Sequence, residues 1–275
     1  MHLRRITAGD RDLVVGFLDR QTMALRWLVA FFRHRDLLPG EEEESWSLWR
    51  DEGPELEPIS FVAAHFFHTA TTYVCASEGV ESSAMEVLCE EELLPERVVG
   101  DATPLQEWRD ASPAFRARET GLREIEVLAS GGGEEAQAGF RAAFDADIPV
   151  LEEMARLHAA ESGEEFHRDF ESLVEHGLVF VIEEGGRVKG YVRSNFSDGR
   201  FVHAGGLYVH PLYRRKGLGR ALARGLSRHV REKDGVPVVL DVYRENGAAL
   251  KTYGRAGFRK IGAGLEVRFD ERAWG

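Results

Sequence analysis

The stretch Gly206-Leu207-Tyr208-Val209-His210-Pro211-Leu212-Tyr213-Arg214-Arg215-Lys216-Gly217-Leu218-Gly219-Arg220-Ala221 decides how this chain is read. An apolar strand runs to Val209 and is stopped by Pro211. Three consecutive cations follow, and a Gly-x-Gly then opens a helix. Glycines let a backbone come close to a ligand. The first N–H groups of a helix have no partner within it, and the helix dipole favours negative charge there. The segment therefore reads as a cradle for a compact polyanion such as a pyrophosphate, with Arg214, Arg215 or Lys216 neutralising it. Gly-x-Gly alone could be a tight turn or a piece of a dinucleotide fingerprint, but Leu222 stands where that fingerprint needs a third glycine.

Working outward, the periodicity on both sides is readable. Upstream come a strand at 140–144, a helix at 147–160 with Ile148, Leu151, Met154, Ala155 and Leu157 as its apolar set, and a helix at 164–176. Strands follow at 178–183, 188–196 and 201–209. Gly185-Gly186 and Ser197-Asp198-Gly199 serve as hairpin turns between them. The helix at 217–231 has Leu218, Leu222, Leu226 and Val230 on one face and Arg220, Arg224, Arg228 and Arg231 on a neighbouring stripe. Downstream lie a strand at 236–243, a helix at 248–255 closed by Gly257, and strands at 258–261 and 265–269. The order βααβββαβαββ is that of a mixed α/β (α+β) layer fold.

A second pattern falls on the last strand–helix pair, from Asp241 to Phe258. Asn246 is followed by Ala249, then Tyr253, then Gly257-Phe258. Together, Arg214-x-x-Gly217-x-Gly219 and this segment resemble the acyl-CoA pyrophosphate loop and the strand–helix–Gly-Phe segment of the GNAT superfamily of N-acyltransferases. The resemblance covers about residues 139–262. It implies that the backbone at Leu207, Tyr208 and Val209 pairs with the pantetheine arm of acetyl-CoA. The amides of Arg215, Lys216, Gly217, Leu218, Gly219, Arg220 and Ala221 would hold the pyrophosphate, and Asn246 would touch the arm of the coenzyme. Tyr253 would be the acid that protonates the leaving thiolate. The oxyanion would be stabilised by a strand amide near Val209. In the subgroup similar to protein N-terminal acetyltransferases a Glu at the spacing of Asp241 is the base. Here the residue is Asp, one methylene shorter, which calls for a bridging water. His203 and Glu161 are the other candidates for the base, and Glu161, at the end of the first helix, could instead bind an amine.

Residues 1–133 hold 25 Asp/Glu against 13 Lys/Arg, a net of −12, whereas residues 134–275 hold 22 of each. Arg214 to Lys233 contains eight Lys or Arg in twenty residues. An acidic chain is a poor nucleic-acid binder, and a local basic run in a neutral half fits a cofactor phosphate. Ser130-Gly131-Gly132-Gly133-Glu134-Glu135 reads as a linker. The domains are thus 1–130, a linker at 131–138, and 139–275. Upstream of the linker the elements are a strand at 3–6, helices at 11–18 and 24–33, and strands at 59–67 and 71–76. A helix at 81–88, a strand at 97–99, a helix at 104–108 and a strand at 122–128 complete the half. The charged stretch Glu41–Glu44 after Pro39-Gly40 reads as a loop or helix start. This order follows the C-terminal half, and the half weakly resembles the degenerate GNAT-like domain that precedes an active one in some bacterial two-domain enzymes. The expectation is two GNAT-like mixed-sheet domains in tandem, with no coenzyme motif in the first.

The N-terminus lacks an apolar signal core, the run at 23–32 is interrupted by Arg26, and Cys75 and Cys89 make no disulfide framework. A cytoplasmic protein without membrane contact follows. His65, His68 and Cys75 lack a fourth ligand at metal-site spacing, so no metal is expected. The implied activity is acetyl transfer from acetyl-CoA to a primary amine of a small molecule or peptide. The alternative is a non-catalytic acyl-CoA sensor or interaction protein, and Tyr253→Phe, which should stop turnover and spare binding, separates the two. An acidic half would attract cationic acceptors such as polyamines, aminoglycosides or basic peptide ends. Acyl chain length, and a monomer or a homodimer, stay open.

Overall fold

The computed structural model describes residues 3–6, 8–20, 46–51, 61–66, 71–76, 96–131, 138–162, 169–197 and 199–269. The helices expected at 24–33 and 81–88, the acidic stretch 41–44 and most of the linker lie outside them. The chain divides into two compact units. One takes residues 1–127, 242–245 and 261–275, and the other takes 128–241 and 246–260.

In the first unit the strands are β1 (Leu3–Arg5), β2 (Trp46–Asp51), β3 (Phe61–Phe66), β4 (Thr71–Ala76) and β5 (Arg97–Asp101), with parts of β6 (Glu119–Ser130) and β12 (Phe258–Phe269). Their sheet order is β1-β2-β3-β4-β5-β12-β6. The pairs β1–β2, β2–β3, β3–β4 and β5–β12 are antiparallel, and β4 and β5 run parallel, Thr71 opposite Arg97. Helices α1 (Arg11–Arg20), α2 (Ala102–Ala111) and α3 (Pro113–Arg118) accompany it. Val14, Phe17, Val62, Val98, Leu105 and Trp108 form its buried core. Strand β2 and helix α3 are additions to the sequence reading. The two strands expected at 258–261 and 265–269 are one continuous strand, β12. Gly262 and Gly264, in the gap left between those two ranges, are strand positions, and at Gly264 a neighbour comes close: a Cβ there would lie 3.1 Å from the Gly100 carbonyl oxygen.

The second unit carries β7 (Phe140–Ala142), α4 (Ile148–Ser162), α5 (Phe170–Glu175), β8 (Val179–Glu184), β9 (Arg187–Ser197) and β10 (Val202–Val209). Helix α6 (Leu218–Asp234), β11 (Val238–Tyr243) and α7 (Gly247–Arg255) follow. The sheet order is β11-β10-β9-β8-β7, with β10 parallel to β11 and the other pairs antiparallel. Gly185 (φ 62°) and Gly186 (φ 72°) make the two-residue turn between β8 and β9, where positive φ at both positions suits the twist of a hairpin. The helix expected at 164–176 is shorter among the described residues. Asp169 starts α5 by accepting the Ser172 amide, 3.0 Å away.

Alternation along β8 sorts the layers. Val179 and Val181 join Tyr191 and Tyr208 under α4 and α5, packed against Leu151, Met154, Phe170 and Val174. Phe180 turns the other way, onto His229 of α6. Helix α6 buries Leu218, Leu222, Leu226 and Val230, the stripe its sequence shows. Each such side chain contributes about 1.5–3 kcal/mol by leaving water.

Two irregularities shape the middle of this sheet. His203 faces Phe196 but Ala204 faces Ser194, so Asn195 is an extra residue in β9. Gly205 faces Arg193 but Tyr208 faces Tyr191, so β10 carries an extra residue too. Gly206 takes φ 61° there, a conformation other residues adopt at a cost of about 1–2 kcal/mol. Pairing of β10 with β11 covers Val202 and His203.

Candidate active site

A cleft of about 640 Å³ opens between the end of β10, the start of α6 and α7. Its walls bring together Leu207, Tyr208, Val209, Arg214, Arg215, Gly217, Leu218, Gly219 and Arg220 with Asn246 and Tyr253, residues up to 46 positions apart in sequence. His158, Glu161, Ala248, Ala249, Thr252 and Arg255 complete the lining.

The cradle forms as its residue types require. Gly217, at φ 82°, is the residue before α6, and Arg215 is itself left-handed at φ 62°. Strain of this kind in a non-glycine residue persists where the surroundings over-determine it, commonly at ligand sites. The Ala221 amide donates to the Gly217 carbonyl at 3.0 Å, the first bond of the helix. The amides open to an anion are therefore those of Leu218, Gly219 and Arg220. Ala221 is buried and Lys216 is not part of the lining; its ammonium lies 5.9 Å from the Tyr213 ring centre. Gly219 has a second role. A Cβ there would come 3.3 Å from the Thr252 methyl, so glycine lets α6 approach α7.

Arg214 points along the wall rather than standing alone among the cradle cations. Its Nε donates to the Val209 carbonyl (2.9 Å), and its Nη2 donates to both carboxylate oxygens of Glu161 (2.9 and 2.7 Å). The Tyr208 hydroxyl donates to the same carboxylate at 3.0 Å, and His158 stacks on the Tyr208 ring. Burial works to raise the Glu161 pKa, but the hydrogen bonds from Arg214 and Tyr208 outweigh it and hold the carboxyl below the usual range. Tyr208 moves the opposite way. Burial first, then the Glu161 carboxylate, pushes its phenol up to about 12.

Tyr253 projects from α7 into the cleft, and burial pushes its pKa up to about 12. It also lines a small adjoining cavity with Ala204, Gly205, Leu207 and Leu240, beside the point where β10 and β11 stop pairing. Asn246 caps α7: its Oδ1 accepts the Ala249 amide at 3.0 Å while the residue lines the cleft. Asp241 is not in the cleft wall. Its exposed carboxylate receives His203 Nε2 at 3.1 Å. Two of the three candidate bases are thus joined to each other, and the third, Glu161, is engaged by Arg214 and Tyr208.

Sequence reading missed His158, Thr252 and Arg255 as cleft residues, and Asn195, whose Nδ2 lies 3.1 Å from His203 Nδ1. Thr252 and Arg255 sit one and two positions from Tyr253, close enough for the motif to have flagged them. Nothing local marks His158 or Asn195. Among the described residues no group of three or more His, Cys, Asp or Glu side chains could hold a metal, and no helix is long and apolar enough to cross a membrane.

The comparisons with known proteins fall on the same part of the chain. The model of the acetyltransferase (GNAT) family matches residues 148–258. A thialysine N-epsilon-acetyltransferase of Caenorhabditis elegans is 29% identical over 144 residues, which cover 45% of this chain and 89% of that protein. A GCN5-related N-acetyltransferase from Sphaerobacter thermophilus superposes with a TM-score of 0.65 at 17% identity, over 98% of this chain and 96% of that one. A tandem GNAT protein from the clavulanic acid biosynthesis pathway gives 0.59 at 14% identity, over 98% of each chain. At these identities the structures speak for the fold alone. With the family model spanning α4 to the start of β12, residues 148–258 are a domain of the GNAT acetyltransferase family.

Proposed function

We propose that this chain transfers an acetyl group from acetyl-CoA directly to a primary amine of a small molecule or peptide. The observation that carries the reading is the convergence in one cleft of the open amides of Leu218, Gly219 and Arg220, a cation-rich rim and the Tyr253 phenol. The donor set suits acetyl-CoA: helix amides and Arg215, Arg220 and Arg255 for phosphates, and a glycine at 217 that keeps a side chain out of the cradle. When bound, acetyl-CoA supplies the activated acyl group, and the chain supplies positioning and proton transfer. The Val209 amide is assigned the oxyanion. Tyr253, neutral far above physiological pH, donates a proton to the departing sulfur. The acceptor ammonium must lose a proton before it attacks, and Asp241, which stands outside the cleft wall, is assigned to take it through a bridging water.

The likeness to a thialysine acetyltransferase favours an acceptor with an aminoethyl or aminoalkyl side chain, and the acidity of residues 1–133 suits a cation. The N-terminal residues, without a cradle sequence, are assigned no coenzyme. A cytoplasmic setting belongs to the same reading. The test is calorimetric titration with acetyl-CoA of wild type and of a Gly217→Glu, Gly219→Glu double variant, followed by turnover with thialysine, lysine and a polyamine. Micromolar binding that the double variant loses, with turnover of one of these amines, supports the proposal. A folded wild type that binds no acetyl-CoA refutes it.

A further inference from the structure

His203 is held at both ring nitrogens. Asn195 Nδ2 lies 3.1 Å from Nδ1, and Asp241 Oδ2 lies 3.1 Å from Nε2. Phe196 stacks on the ring at 4.7 Å, parallel to within 1°. The arrangement depends on the paired bulges. Asn195 is the extra residue of β9, and its amide occupies the space that a side chain at 205 would fill: a Cβ on Gly205 would lie 2.5 Å from Asn195 Nδ2. His203 is the last β10 residue paired with β11, and Asp241 stands two positions beyond its partner Val239. The chain Asn195–His203–Asp241 therefore crosses three neighbouring strands where β10 and β11 begin to part.

A neutral imidazole has one donor nitrogen and one acceptor nitrogen. An amide donor at Nδ1 and a carboxylate at Nε2 select the form protonated on Nε2. In that form the Nδ1 lone pair is taken by Asn195, and Nε2 carries a proton directed at Asp241. No lone pair of the ring remains for an amine. We propose that His203 and Asn195 are positioning residues of the acetyl transfer, Asn195 fixing the His203 tautomer and His203 holding one oxygen of Asp241 so that the other accepts the amine proton. Relayed by the bridging water, the step breaks one N–H bond of the acceptor ammonium and forms one O–H bond on Asp241; the water gives up one proton as it takes one, and the imidazole neither gains nor loses a proton. This inference rests on the proposed amine-acetylating reading of the site.

The test has a spectroscopic arm and a kinetic arm. In the full-length ¹⁵N-labelled protein at neutral pH, nitrogen–carbon-proton correlation spectra should show His203 protonated on Nε2, and Asn195→Leu should yield a tautomer mixture. With thialysine as acceptor, His203→Leu should lower kcat by about 10²-fold with the acetyl-CoA KM unmoved, whereas His203→Gln, whose amide can still donate to Asp241, should recover most of that loss. A His203 protonated on Nδ1 in wild type overturns the inference, since Asn195 would then accept and Nε2 would be the base. Equal loss in the Gln and Leu variants overturns it as well, and so does a Leu variant with wild-type kcat. Absence of acetyl-CoA binding by wild type falls instead on the underlying functional reading, and the tautomer measurement stands without any acceptor.

Discussion

A single hydroxyl and a single guanidinium can be tested against magnitudes. Tyr253→Phe should lower kcat by about 10²-fold or more, the range lost with a general acid, and leave the acetyl-CoA Kd unchanged in calorimetry. Tyr208 and Tyr253 both titrate at about 12, above the ordinary ~10 of a phenol. Their folded pKa exceeds the unfolded one, so their contribution to stability is complete below pH ~10 and is lost as pH rises from there to about 12. Phenolate absorbance should contain a late-ionising part that Tyr208→Phe and Tyr253→Phe each reduce, with the wild-type denaturant midpoint falling across the same interval. The ion pair of Arg214 with Glu161 leaves both side chains 42% exposed. Such pairs contribute only about 0–1 kcal/mol, so Arg214→Ala should shift the urea midpoint little. Its effect should appear as weaker acetyl-CoA binding.

Within the elements, glycines mark where backbone meets backbone. A Cβ on Gly190 in β9 would lie 2.6 Å from the Tyr208 carbonyl oxygen and 3.2 Å from the Val209 Cα, and main chain cannot step aside as a flexible side chain does. Gly190→Ala should cost about 1–3 kcal/mol, the usual range for overpacking, read as a Tm lowered by several degrees. By pushing on β10 it should also weaken acetyl-CoA binding. Elements with a local signal were legible in sequence. Helix α6 announces itself by leucines at helical spacing after Gly217, although it runs to Asp234 where the pattern was read only to 231, and the β8–β9 hairpin by Gly185-Gly186. Continuous β12 was not legible, because Gly262 and Gly264 weaken a strand pattern until the neighbouring strands that need the space are known. The double bulge left no trace either, since Asn195 and Gly206 acquire their meaning from the strand opposite. The link from His203 to Asp241 spans 38 residues, a distance over which spacing alone says nothing.

Across the whole molecule, the net charge of −12 belongs to residues 1–133, and the remainder is balanced. Affinity for acetyl-CoA should therefore come from the local cations of the cleft and weaken with salt, because screening shortens from ~10 Å at 0.1 M to ~3 Å at 1 M. Titrations between these limits should show Kd rising steadily, whereas binding of a dephosphorylated pantetheine thioester should barely respond. The convergence of cradle, Tyr253 and Glu161 is a property of this scale. The two motifs gave the cleft in outline, but the Glu161 carboxylate that helps push the Tyr208 phenol up comes from α4, outside both motifs.

The two adjoining glycines of β10 have an evolutionary consequence. At 205 and 206 the strand offers no side chains, and the space is taken by Asn195 and by the Arg193 guanidinium, which a Cβ on Gly206 would meet at 2.6 Å. A side chain at 206 would meet backbone strain at φ 61° as well as the Arg193 guanidinium, whereas one at 205 would have to displace the end of the Asn195 side chain and with it the amide that faces His203. In the surrounding wall Thr252 and Arg255 stand on a helix, where one side chain can change without altering the pairing of a strand. A lineage built on such a strand can change its clientele while keeping its reaction.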